Sequence, residues 1–241
     1  MRTLFTIMIC LALVSGAAAQ QKTVTVTPVE GPVLTTEAAG PAGVCIYGNN
    51  NTPAFAITDW VYGQESYATV FQAPQPPCGC NEGFTIEAVH LYLQFAVTDV
   101  PATFDATVGF GETFFDETAQ CFVPGEQNCE SPAYTITIDT PGLYDISLPI
   151  DPTSCPCAFF DYEYAVYFNI LTAFAATARP EIVTDDVPVG CVSWNDYGAG
   201  WEDLQDYGLP GEVIMFADVV CCETPVPNED RTWGGVKSLY R

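Results

Sequence analysis

The sequence predicts an all-β protein, an antiparallel two-sheet sandwich of jelly-roll-like type stapled by disulfides. Short apolar runs recur between turn residues, the longest of them alternates with a period of two, and no stretch past residue 19 keeps an apolar stripe at the helical period. With 49% hydrophobic and 13% aromatic residues the chain can bury a core despite a formal net charge of −24. Disordered chains pair high charge with low hydrophobicity, and this one does not.

Residues 1–19 read as a signal peptide, with Arg2, an apolar run over 4–14 and the small residues Ala17, Ala18 and Ala19 before Gln20. Residues 20–41 alternate Thr and Val and then fill with Pro, Gly, Thr and Ala, which predicts an exposed N-terminal segment or linker. Residues 42–222 form the sandwich domain. Strand-like runs are expected at 44–47, 54–62, 67–72, 84–97, 103–110, 133–138, 143–150, 159–172 and 212–220. In the fourth, Val89, Leu91, Leu93, Phe95 and Val97 share one face, and Ala88, His90, Tyr92 and Gln94 the other, so one face is core. Pro101, Pro124-Gly125, Pro141-Gly142, Pro149 and Pro210-Gly211 mark turns between runs. A faint echo links Cys78-Gly79-Cys80 before Ala88-Val89 to Cys155-Pro156-Cys157 before Ala165-Val166, each pair opening a long aromatic-rich strand. Residues 223–241 are a Pro-rich acidic spacer and a C-terminal tail.

Cys10 leaves with the leader, so an even set of ten of the eleven cysteines remains for an oxidising compartment. Secretion, to the medium or the cell surface, is therefore expected. Pro124-Gly125 inside CFVPGEQNC predicts a turn that bridges Cys121 to Cys129. Adjacent strand residues face opposite ways, so Cys221 and Cys222 should reach different partners, with Cys191 and Cys45 the expected ones. Zinc binding by the Cys-x-Cys pairs is disfavoured, because paired zinc thiolates usually stand two or more residues apart.

Charge sets the classes of partner. Between Lys22 and Arg231 a single cation, Arg179, stands among nearly all of the 30 acidic residues, a field that repels phosphate backbones and anionic lipid. Nucleic acid is excluded as a partner, and no mature stretch is apolar enough to predict a transmembrane segment.

The densest polar and aromatic stretch is 194–208. Trp194, Tyr197, Trp201 and Tyr207 offer flat faces beside acids and an amide, which is how proteins hold sugars; closing the core beneath a long loop is the alternative use of such rings. Asn195, Asp196, Glu202, Asp203 and Asp206 are oxygen donors of the type Ca2+ takes, with glycines for tight turns, and Asp185-Asp186 is expected at the same end; a plain acidic loop is the alternative. No catalytic residue is assigned. His90 is the one histidine, neither a GxSxG elbow nor an HExxH helix is present, and His90 reads as a surface or packing residue.

In the tail, Trp233, Val236 and Tyr240 would share a helical face with Lys237 and Arg241 one turn apart, an arrangement suited to docking on another protein. Trp233, Gly234, Val236, Lys237, Leu239, Tyr240 and Arg241 resemble the short WG-x-[IV]-K-x-[LM]-Y-R endings of some uncharacterised secreted proteins of environmental bacteria, which implies a sorting or attachment signal. The long early strand, the Pro-Gly turn before LYDISLPI, the tyrosine-rich strand and the Trp-bearing loop resemble bacterial extracellular jelly-roll accessory domains, which implies a non-catalytic module. The expected function is a secreted or surface module that binds a glycan or a surface protein, with Ca2+ as the candidate ion. The alternatives are an extracellular hydrolase using acidic residues and a self-assembling structural surface protein.

Overall fold

The computed structural model describes residues 22, 25–29, 33–35, 45–71, 83–151, 155, 157 and 163–222. Residues 1–19, expected to be a signal peptide, Cys78, Cys80 and the C-terminal residues Trp233, Val236, Lys237, Tyr240 and Arg241 lie outside them. Two sheets face each other. The first contains β1 (Thr25–Pro28), β4 (Phe55–Thr58), β12 (Glu181–Thr184), β6 (Phe84–Phe95), β10 (Gly142–Pro149) and β2 (Val33–Thr35) in that order, with β15 (Met215–Cys221) joining β6 to β3 (Cys45–Asn49). In the second the order is β14 (Glu202–Asp203), β13 (Ser193–Asp196), β5 (Glu65–Phe71), β11 (Tyr164–Ile170), β7 (Ala102–Asp116) and β8 (Cys121–Glu130), with β9 (Tyr134–Ile138) also on β7. All pairings are antiparallel except β10 with β2. The strands that open the two echoed segments, β6 and β11, lie inside opposite sheets.

The period-two reading of β6 holds over most of its length. Val89, Leu91, Leu93 and Phe95 are at most 1% exposed and pack with Phe104, Val108, Val166 and Phe168 of the other sheet. At Ala88 the alternation slips by one, where a bulge opposite Asp218 and Val219 lets β15 skip Glu87. Val97 is a correction: β6 stops at Phe95, Val97 is 76% exposed, and Asp99 turns the chain by accepting the Ala96 N–H at 2.7 Å. β11 is buried at every residue because both its faces are covered, one by the main core and one by a second cluster of Ala68, Val70, Val123, Ala165, Tyr167 and Trp194.

In the N-terminal segment β1 pairs along β4 and the Lys22 side chain is buried, so the Thr-Val alternation there is spent on a sheet edge. The expected Cys121–Cys129 bridge does not form. Cys121 joins Cys191 and Cys129 joins Cys155. The residues between Cys121 and Cys129 run as the strand β8 and do not reverse, which sets the two ends up to roughly 26 Å apart at about 3.3 Å per residue. A disulfide needs Cα atoms within about 7 Å. Pro124 is tolerated there because β8 is an edge strand, where a missing N–H breaks no ladder. The third bridge joins Cys157 to Cys222, and Cys45 and Cys221 are also disulfide-bonded. Cys191 is thus the partner of Cys121, not of the 221–222 pair.

Candidate functional site

Residues 194–208 run through β13 and β14, at the edge of the second sheet, and end in a 3-10 turn over Leu204–Tyr207. Trp194 is 3% exposed within the second cluster, and Trp201 packs on Tyr167 with ring centroids 5.6 Å apart. Tyr207 meets Trp60 edge-on at 5.1 Å. Trp194 and Trp201 thus pack in the second cluster and Tyr207 against the main core, with Trp201 and Tyr207 half-buried. The candidate ion ligands do not gather around one point. Asp196 Oδ1 accepts the Gly198 and Gly200 N–H groups, Asp203 caps the 3-10 turn Leu204–Tyr207 and accepts the Cys191 N–H at 2.6 Å, and Asp206 sits within that turn. Glu202 takes both the Tyr197 and Tyr207 hydroxyls. That bond, and then burial, push the Tyr197 hydroxyl up to about 12. Asp185 lies elsewhere, in the cleft described below. Among the described residues no three His, Cys, Asp or Glu side chains are grouped to hold a metal.

Asn195 belongs to a different constellation. Its Oδ1 accepts from the Lys22 ammonium, which also pairs with Glu65 Oε2. Around that ammonium stand Trp60 at 4.8 Å, Tyr197 at 4.9 Å, Tyr62 at 5.7 Å and Tyr67 at 5.8 Å. Each ring is within the distance at which its face attracts a cation. Glu65 is held independently of the lysine: Oε1 accepts the Tyr62 and Gly63 N–H groups, and Asn195 Nδ2 donates to Oε2. Burial lowers the Lys22 pKa, while the charge and hydrogen bond of Glu65 and the charge of Glu202 pull it back up. Arg179 stacks on the Tyr62 ring at 3.9 Å, so both lysine and arginine residues of the described chain converge on that tyrosine.

His90 is more than a packing residue. Its Nδ1 lies 2.8 Å from Asp145 Oδ1, while Nε2 lies 3.3 Å from both Ser147 Oγ and Asp218 Oδ2. The order Ser147, His90, Asp145 copies a nucleophile relay, but the electrostatics oppose one. Burial would lower the imidazole pKa; hydrogen bonds to Asp145 and Asp218 and their charges outweigh it and raise the value to about 9. An imidazolium at neutral pH donates from both nitrogens and cannot accept a serine proton. The group ties β6 to β10 and β15, with Phe216 stacked on it at 4.3 Å.

The open concavity lies on the other side of the Cys121–Cys191 bridge. A cleft of about 690 Å3 opens between β3, the start of β8 and the segment 185–192. Asp185 organises its floor: Oδ1 accepts the Val187 and Glu212 N–H groups, and Oδ2 accepts from Asn51 at 2.7 Å. Gly211 is required beneath it, since a Cβ there would stand 2.1 Å from the Asp185 carbonyl oxygen. Glu212 is 4% exposed; its Oε1 accepts the Val189 N–H at 2.6 Å, and its Oε2 is buried without a hydrogen-bond partner. Burial pushes this carboxyl up to about 6. The Ser193 hydroxyl and the Val189 N–H moderate the rise, and the Asp203 and Asp185 charges add to it. Thr69 Oγ1 and Glu163 Oε2, also lining the cleft, are likewise buried and unpartnered. Burial raises the Glu163 carboxyl too. Phe115, 49% exposed, and Val187, 51% exposed, give the cleft apolar walls. Thr69, Glu163 and Glu212 went unnoticed in the sequence because each stands alone there, 49 or more residues from the next.

No helix among the described residues is long and apolar enough to cross a membrane. Comparison with curated protein sequences finds no match. Among solved structures the chain is similar to the cysteine protease and lectin-like domains of Cwp84, a surface layer associated protein of Clostridium difficile, at 11% identity and a TM-score of 0.47. The match covers 77% of this chain and 37% of that one, so the chain spans little more than a third of that structure. The sequence pattern of DUF7451, a domain of unknown function, matches residues 43–219, from just before β3 into β15, and the chain belongs to that family.

Proposed function

We propose that the chain acts outside the cell as a non-catalytic binding module, and that it takes a neutral, hydroxyl-rich ligand, a glycan, in the cleft beside the Cys121–Cys191 bridge. The observation that carries this reading is the set of three buried oxygens without partners, Thr69 Oγ1, Glu163 Oε2 and Glu212 Oε2, beneath apolar walls that include Phe115. A buried polar group left unpaired costs about 1–3 kcal/mol, which a donor brought by a ligand recovers. Sugar hydroxyls are such donors, and sugar C–H faces stack on rings. The volume, about 690 Å3, falls within the range of small-molecule sites. The disulfides described above fit an oxidising location.

A second reading, hydrolysis using acidic residues, draws on the same Glu163 and Glu212, whose raised pKa values suit a general acid. One calorimetric titration of neutral oligosaccharides separates these readings. Binding that weakens at least tenfold in Glu212→Gln and in Thr69→Val, and persists in Trp201→Ala, supports the cleft. Binding lost only in Trp201→Ala moves the site to the aromatic loop, and release of reducing ends abolished by Glu163→Gln and Glu212→Gln replaces binding with hydrolysis. Repeating the titration in Ca2+ and in EDTA tests the ion.

A further inference from the structure

The Lys22 constellation shares no residue with the cleft and is built as a receptor. We infer that Trp60, Tyr62, Glu65, Tyr67, Asn195 and Tyr197 form a lysine-recognition site, which the chain fills with its own Lys22 and which accepts a primary alkylammonium from another molecule when Lys22 is withdrawn. Four ring faces stand 4.8 to 5.8 Å from the ammonium, and a carboxylate and an amide oxygen accept its N–H groups. The two polar acceptors are oriented by the protein itself. Glu65 is fixed by backbone N–H groups of Tyr62 and Gly63, and Asn195 by a bond from its Nδ2 to the Ser66 carbonyl at 3.0 Å. Both acceptors are therefore held by contacts that do not involve the cation, as the groups of a preorganised site are.

Lys22 leads into β1, a four-residue strand paired on one side to β4 at the edge of its sheet. A lysine on another extended peptide presents the same chemistry, and the field of 30 acidic residues draws cations toward this surface. Primary ammonium is favoured over quaternary because Glu65 and Asn195 need N–H donors, which a tetraalkylated nitrogen lacks.

The test uses the full chain carrying Lys22→Ala, which empties the cage. Thermal unfolding and calorimetry with n-butylammonium chloride, against NaCl at equal ionic strength, should show saturable binding that restores most of the lost Tm. Tetramethylammonium and n-butanol should bind at least tenfold more weakly, the unaltered chain should not respond, and adding Glu65→Gln should abolish the rescue. Failure of n-butylammonium to bind Lys22→Ala, or equal stabilisation of the unaltered chain, overturns the inference. Should Lys22→Ala not fold unaided, the yield of folded protein on refolding with n-butylammonium is read instead, and a yield equal to that in NaCl overturns it.

Discussion

Replacing His90 by Gln should remove a pH-dependent part of the stability whose size follows from its surroundings. The imidazole pKa is about 9 in the folded chain against an ordinary 6.5, with a side chain 12% exposed between Asp145 and Asp218. A difference of about 2.5 units at 1.36 kcal/mol per unit gives about 3 kcal/mol. Because the folded-state value is the higher one, this contribution is complete below pH 6.5 and fades as the pH rises through 9. Glu212, raised from 4.5 to about 6, also favours folding more at lower pH, but it titrates below the His90 window and is common to both proteins. The stability difference between the native chain and His90→Gln, from urea unfolding, should therefore be about 3 kcal/mol larger at pH 6 than at pH 10. His90 is the one histidine in the chain, so a single ring resonance reports its titration directly by NMR. A midpoint at or below 6.5, or the same stability difference at both pH values, would refute the ion-pair account.

Two further changes test the covalent and steric framework. Replacing Cys121 and Cys191 together by Ser opens a bridge between residues 70 apart. The chain-entropy relation puts this at about 4 kcal/mol, and the Cys129–Cys155 bridge nested inside the loop changes it little because the dependence is logarithmic; a loss under about 1 kcal/mol in chemical denaturation would contradict it. Gly111→Ala would bring a Cβ to 2.0 Å from the Glu126 carbonyl oxygen, where β7 and β8 shift register, so a loss above about 2 kcal/mol is expected. Gly190→Ala meets nothing nearer than Asp203 Oδ2 at 3.6 Å and should stay within about 0.5 kcal/mol, which makes it the control in the same denaturation series.

The fold class was legible because strand alternation is a local property, and β6 displays it from Val89 to Phe95 without help from distant chain. β8 was not, because Pro124-Gly125 carries a strong turn signal that an edge position cancels, and edge position depends on the whole sheet. The disulfide error follows from the same misreading: once β8 is a strand, Cys121 and Cys129 cannot meet, and each must find a partner brought by topology. The aromatic loop illustrates a second limit. Composition identified a cluster of rings and acids, and the chain does assemble Tyr197, Glu202 and Tyr207, but whether rings face solvent or a second core is decided by β11, whose outer face needs covering.

Both candidate sites draw their decisive atoms from segments far apart in sequence: Lys22 with Glu65 and Asn195, and Thr69 with Glu163 and Glu212. For the cage a trace did exist. Trp60, Tyr62, Glu65 and Tyr67 crowd into eight residues, near enough that β5 and the turn before it must present a carboxylate among rings. Burying such a carboxylate is costly, and a cation beside it offsets that cost. In a chain with two lysines, that requirement narrows the choice of partner, and it explains why an N-terminal segment of linker-like composition is drawn down onto the sandwich.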